Sequence, residues 1–214
     1  MPDCCDPGPY GRLFDRKEAE RRLERYRRRG LDGMASKLAS YLRDRDLHGR
    51  SVLEVGGGIG DFHVELLGAG AANAVNVELS GGYEDSAAEL ARAEGVSDRI
   101  ERRLGDFVEE QDLVDPADVV VLNRVICCYP WMERIMEASV VKTRWLLAIA
   151  VPRDRLMSRV AVTFGNGIQK LSGHDVESHV HSVAGMEAIA ARSGMTQVFT
   201  ESGLIWRGVV FERL

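Results

Sequence analysis

Ser51-Val-Leu-Glu-Val-Gly-Gly-Gly-Ile-Gly-Asp61 decides how the chain is read. A short apolar run, Val52 to Val55, enters closely spaced glycines and then a helical pattern from Phe62 to Leu67. That order predicts the first strand, turn and helix of a doubly wound α/β domain. Gly56, Gly58 and Gly60 carry no side chain, so the backbone can turn sharply there and come close to a ligand.

Toward the C-terminus the pattern alternates. Strands are expected at 51–55, 74–78, 99–104, 118–123 and 144–151, and helices at 60–68, 83–94 and 131–141. Val119-Val-Val-Leu122 and Leu146-Leu-Ala-Ile-Ala-Val151 are near-continuous apolar runs, as central strands of a covered parallel sheet are. After Pro152 a helical stretch is expected to about Lys170, then a polar loop with three histidines and a helix at 184–193. Thr196–Glu201 and Leu204–Phe211, separated by Ser202-Gly203, read as an antiparallel hairpin.

Toward the N-terminus, residues 16–29 read as a polar helix ended by Gly30. A second helix carries Leu31, Met34, Ala35, Leu38, Tyr41 and Leu42 on one face. The expected division is a helical arm or lid over 1–48 and a cofactor-binding domain over 49–214.

The chain has 214 residues, 45% of them apolar, enough for one sizeable core. No apolar run approaches the roughly 20 residues that span a bilayer. Met1 to Pro9 lacks the basic and apolar regions of a signal peptide, so a cytoplasmic protein with no membrane partner is expected. Cys4-Cys5 and Cys127-Cys128 read as free thiols in a reducing compartment. Net charge is −5, yet residues 11–30 hold nine basic and four acidic side chains. That segment reads either as a solvated helix laced with ion pairs or as an anion-facing lid. The basic stretch has no interleaved aromatics and the whole chain is acidic, which argues against nucleic acid.

The glycine spacing bears on the cofactor. A dinucleotide fingerprint reads G-x-G-x-x-G, because a pyrophosphate sits on the helix N-terminus. Here the pattern is G-x-G-x-G, and Asp61 takes the place of the last dinucleotide glycine. A carboxylate there is expected to repel a pyrophosphate. S-adenosylmethionine (SAM), cationic and without phosphates, fits better. Glu54-Val-Gly-Gly-Gly-Ile-Gly60 resembles motif I of class I SAM-dependent methyltransferases.

Companion residues follow in order. Glu78, with Leu79 beside it, ends the second strand, where an acid can accept from ribose hydroxyls. Asp106 follows the third strand, suited to an adenine amino group, with Phe107 to flank the ring. Asn123 ends the fourth, toward the methionine part. Open α/β sheets bind ligands at such C-terminal strand ends. Taken singly, these positions also suit capping, surface and turn roles.

A narrower resemblance rests on Phe14-Asp-Arg…Tyr26-Arg-Arg-Arg-Gly30-Leu-Asp, on motif I, and on Val125-Ile-Cys-Cys-Tyr129-Pro130. Together they are similar to the magnesium-protoporphyrin O-methyltransferase group. The resemblance implies a Rossmann-like seven-stranded sheet with a C-terminal hairpin, an N-terminal helical arm over the site, and a role in activity for Tyr26. Where that group has His-Tyr-Pro, this chain has Cys128-Tyr129-Pro130, which implies a different acceptor.

The acceptor pocket is expected from Cys127, Cys128 and Tyr129. The cysteines read as buried small apolar residues, a pocket wall, a redox-sensitive gate or thiolates for a soft element. No spacing supports zinc, so no metal is expected. In Gly173-His-Asp-Val-Glu-Ser-His-Val-His-Ser182, His179 and His181 share a face if extended. One of them is expected as a base or pocket residue, against the plainer reading of a polar loop before a helix. His63 reads as structural. The function these residues favour is methyl transfer from SAM to an O, N or C nucleophile of a small, in some cases anionic, acceptor. A non-catalytic SAM-binding or partner subunit and an NAD(P)-linked oxidoreductase are the alternatives.

Overall fold

The computed structural model describes residues 13–153 and 179–214. Two helices precede the sheet. The first, α1 (Arg16–Arg29), starts at Asp15, whose carboxylate accepts from the Glu18 N–H at 2.9 Å. Gly30 ends it at φ 66°, a conformation open to glycine. The second, α2 (Gly33–Arg43), buries Met34, Ala35, Leu38, Ala39 and Leu42 along one stripe.

The strands are β1 (Ser51–Val55), β2 (Asn73–Glu78), β3 (Ile100–Leu104), β4 (Ala117–Asn123), β5 (Thr143–Pro152), β6 (Met195–Ser202) and β7 (Trp206–Arg213). The helices among them are α3 (Asp61–Gly68), α4 (Glu84–Ala93), α5 (Met132–Val141) and α6 (Val183–Arg192). All lie within a residue or two of the expected bounds. The sheet runs β3-β2-β1-β4-β5-β7-β6. β1 to β5 pair in parallel, with Glu54 opposite Asn76 and Leu53 opposite Val120. β7 pairs antiparallel with both β5 and β6. The helical stretch expected after Pro152, and His174, Cys4 and Cys5, lie outside the described residues.

Strand alternation splits the core into two layers. Val119 and Val121 point to one face with Leu38, Leu42, Phe62 and Leu90, from α2, α3 and α4. Val120 and Leu122 point to the other with Ile135, Met136, Met186 and Ile189, from α5 and α6. Helix α2 is therefore part of a core layer. In α1 only Ala19 and Leu23 are buried. The strand ends that carry the glycine loop, Glu78 and Asn123 all open on the side that α1 crosses.

Candidate active site

The glycine loop rests on a buried polar cluster. Glu54, 1% exposed, pairs its Oε2 with His63 Nδ1 at 2.7 Å and accepts from the His63 N–H at 3.2 Å. Asn76 lies beside it on β2. A Cβ on Gly57 would fall 2.1 Å from Asn76 Nδ2 and 2.7 Å from the Glu54 carboxyl carbon. A Cβ on Gly60, at φ 81°, would meet the His63 ring at 2.4 Å. Glycine is thus required at 57 and 60 by what lies beneath the loop.

Above the loop is a cavity of about 290 Å³. Gly56 and Gly58, both at φ 61°, line its floor with Glu78 and Leu79 from the end of β2. Asp106 and Phe107 line it after β3, and Asn123 after β4. Cys128 and Tyr129 form a wall, and Tyr26 of α1 closes it from above. Glu54 and Gly60 lie outside this lining and Cys127 is buried behind it. Ten of the candidate site residues therefore border one cavity, at the strand ends where the topology expects a ligand, and Glu54 and Gly60 sit beneath its floor.

The polar groups of the floor are partly committed. Glu78 Oε2 accepts from the Gly58 N–H at 2.8 Å and Oε1 from the Ser80 N–H at 3.0 Å. Asp106 Oδ1 accepts from the Val108 N–H at 2.8 Å. Asp106 Oδ2 and Asn123 Oδ1 are buried acceptors with no partner among the described residues. An unmet buried acceptor costs about 1–3 kcal/mol, so each of these sites suits a ligand that brings an N–H donor. SAM has two such groups, an adenine amino and an α-ammonium, and the residues present fit it.

Helix α1 supplies residues that sequence reading did not single out. Arg22 makes a bidentate pair with Asp61, Nη2 to Oδ1 at 2.6 Å and Nε to Oδ2 at 3.2 Å. Burial pulls the Arg22 guanidinium down, and the Asp61 carboxylate more than reverses this, so its pKa lies above the ordinary value. The bare carboxylate expected at Asp61 is in fact neutralised, so its charge alone does not bar a pyrophosphate. Nine basic residues within twenty hide Arg22; no spacing marks it out. Tyr83, packed beside Gly58, is pushed up to about 12 by burial, against the lowering effect of Arg22.

Tyr26 donates its hydroxyl to Glu65 Oε1 at 3.1 Å. Burial first, and the Glu65 carboxylate second, raise its pKa. Cys127 and Cys128 place their sulfurs 3.9 Å apart, and neither forms a disulfide. Cys128 and burial drive the Cys127 thiol well up, while the Cys127 hydrogen bond draws Cys128 down. His179 and His181 stand behind this turn. The His179 N–H donates to the Cys127 carbonyl at 2.6 Å, and His181 Nε2 donates to the Tyr129 carbonyl at 2.8 Å. That bond puts the His181 proton on Nε2. The rings stack 5.6 Å apart and neither lines the cavity. No group of three or more metal-ligating side chains occurs among the described residues. No described helix is long and apolar enough to cross a membrane.

No family model and no curated protein matches the sequence. Solved structures do. Magnesium protoporphyrin IX methyltransferase from Synechocystis PCC 6803 with bound SAH superposes at a TM-score of 0.69 and 17% identity, over 89% of this chain and 94% of that one. The same enzyme with bound SAM gives 0.66 and 16%, over 85% and 78%. An O-methyltransferase family 2 protein from Planctomyces limnophilus in complex with apigenin gives 0.64 and 19%, over 93% and 62%. The seven-stranded sheet with its reversed last pair superposes on these structures: the protein has the fold of the SAM-dependent methyltransferases.

Proposed function

We propose that the protein is a SAM-dependent methyltransferase acting in the cytoplasm on an oxygen, nitrogen or carbon of a small-molecule acceptor. The observation that carries this reading is the cavity above Gly56 and Gly58. It is bordered in order by Glu78, Asp106 and Asn123, the last two each keeping an unmet buried acceptor. Glu78 suits the ribose hydroxyls, Asp106 the adenine amino group with Phe107 along the ring, and Asn123 the amino-acid part. Gly56 and Gly58 admit the close approach. Glu54 and Gly60 act from beneath, holding the loop in shape.

When bound, SAM supplies an electrophilic methyl group with a neutral leaving group. What remains for the chain is alignment and exclusion of water. Tyr26, Cys128 and Tyr129 form the acceptor side of the cavity, with Cys127 behind them. The raised pKa of Tyr26 keeps its phenol protonated at neutral pH, so it serves as a hydrogen-bond donor and not as a base. His179 and His181 are placed to hold the 126–129 turn through the Cys127 and Tyr129 carbonyls. A direct proton-accepting role for either requires its ring to turn into the cavity. Within the arm, helix α1 borders the site through Arg22 and Tyr26, and the glycine loop and strand ends of 49–214 supply most of the cofactor's contacts. The cations along the cavity, Arg22 and Arg25 among them, suit an acceptor with an anionic group.

Titration calorimetry with SAM, SAH and NADH tests the assignment. SAM and SAH are expected to bind and NADH is not. Heat with NADH and none with SAM or SAH overturns the reading. SAM binding with no methylated product from any mixture of small acceptors would leave a binding protein in place of an enzyme.

A further inference from the structure

We propose that Arg22 is the anchor for the α-carboxylate of the cofactor's amino-acid end, and that Asp61 holds the guanidinium in place for it. The inference rests on the SAM reading above. In that reading Asp106 and Glu78 take the adenine and the ribose. The amino-acid end is left for the part of the cavity bounded by Gly56, Gly58 and α1. A carboxylate there needs a cation, since an unpaired charge in a partly buried site is costly.

The cavity offers Arg22, Arg25 and Arg124. Arg25 is an exposed residue of α1. Arg124 is bound to Asp32 at 2.7 Å and lies over the Trp206 ring, 5.0 Å from its centroid. Arg22 packs against the glycine loop at Gly58. A Cβ on Gly58 would come within 2.7 Å of Arg22 Nη1, so glycine at 58 is what lets the guanidinium sit there. Asp61 takes the Nε and Nη2 side of the fork. A guanidinium has five N–H donors, so beyond its bonds to Asp61 and to the neighbouring Tyr83 it keeps donors for a further acceptor. Planar bidentate recognition of carboxylates is what arginine does better than lysine.

The arrangement also gives the basic arm a purpose that a solvated helix lacks. Arg22 belongs to α1, so a carboxylate held by it ties the arm to the bound cofactor. By reciprocity, a ligand with the carboxylate steadies the arm and one without it does not.

The test compares two ligands on the whole chain. SAH carries the amino-acid end; 5′-methylthioadenosine has the same nucleoside and thioether without it. Calorimetry is run on the wild type, R22Q, R22Q/D61N and R124Q. For R22Q, SAH affinity should fall roughly ten- to a hundredfold while methylthioadenosine stays within about twofold, the span expected for hydrogen bonds to a charged group. R22Q/D61N leaves no unpaired Asp61, and should show the same selective loss. Amide exchange in residues 16–29 should slow with SAH and not with methylthioadenosine. Equal weakening of both ligands, or a selective loss in R124Q and not in R22Q, overturns the assignment. Wild type that binds neither ligand brings down the SAM reading and this one with it. That outcome is distinct from wild type that binds both while R22Q loses neither.

Discussion

Glu78 serves two partners at once. Its carboxylate accepts from the N–H groups of Gly58 and Ser80, which ties the end of β2 to the glycine loop, and it borders the cavity. Glu78→Ala should weaken SAH binding by about 1.5–3 kcal/mol, the range for hydrogen bonds to a charged group, in calorimetry at neutral pH. Unchanged affinity would move the ribose contact elsewhere. Asp118, far from the cavity, gives a pH-dependent case. Burial pushes its pKa up, but the N–H and hydroxyl of Ser51 and the charge of Arg50 outweigh this and leave it below the usual value. A carboxylate depressed in the folded state stabilises above its unfolded pKa and loses that contribution as pH falls through the folded one. Asp118→Asn should therefore cost about 1 kcal/mol in denaturant unfolding at pH 7. The difference from wild type should shrink below pH values near ~4. A constant difference across that range would show that shape and not charge matters at Asp118.

At the scale of elements, α1 and α2 are unlike despite being neighbours in sequence. Helix α2 belongs to the core through Met34, Leu38 and Leu42, and Gly208 of β7 is side-chain-free where Met34 and Leu38 press on it. Helix α1 buries Ala19 and Leu23 and otherwise rests on polar contacts: Arg22 with Asp61, Tyr26 with Glu65 and Arg27 with Glu89. Deleting residues 1–30 should leave a cooperatively folding core at a cost of roughly 2–5 kcal/mol, comparable to losing one well-packed leucine, and should abolish most turnover. Circular dichroism melts and single-turnover assays check both halves. Outright unfolding would make α1 a core element and end its role as a lid. The glycine loop is less forgiving. Gly57→Ala places a methyl against Asn76 and Glu54, both fully buried, and should cost about 1–3 kcal/mol by overpacking. Urea unfolding measures this, and a neutral result would mean that the buried cluster can shift.

For the whole molecule, ligand binding and stability are linked. SAH at about a hundred times its Kd should add roughly 2.7 kcal/mol, and each kcal/mol is worth about 2–4 °C in a chain of this size. A melt should therefore rise by about 5–10 °C with SAH and stay put with NADH. The chain lacking residues 1–30 should show a smaller rise with SAH if the arm contacts the bound cofactor. An equal rise would place the whole cofactor site in residues 31–214.

The strands, their helices and the glycine loop were legible because each is written in near neighbours. Val119-Val-Val-Leu122 announces a buried strand in four consecutive residues, and the stripe from Met34 to Leu42 announces a helix face in nine. The border of the cavity was legible for the same reason. Glu78, Asp106 and Asn123 sit at strand ends, and strand ends can be read from where apolar runs stop. Long-range closure decided the rest. Nothing in the run of arginines from 21 to 29 singles out Arg22; its partner Asp61 arrives only when α1 crosses the loop. Glu54 reads like a ligand contact, yet it is buried under the loop and paired with His63. His179 and His181 share a face, but the path of the chain into α6 sets that face behind the 126–129 turn. Local patterns depend on contacts a few residues apart and survive in a one-dimensional reading. The choice of charged partner, and the side of a loop on which a carboxylate ends, depends on which distant segments the packed core brings together.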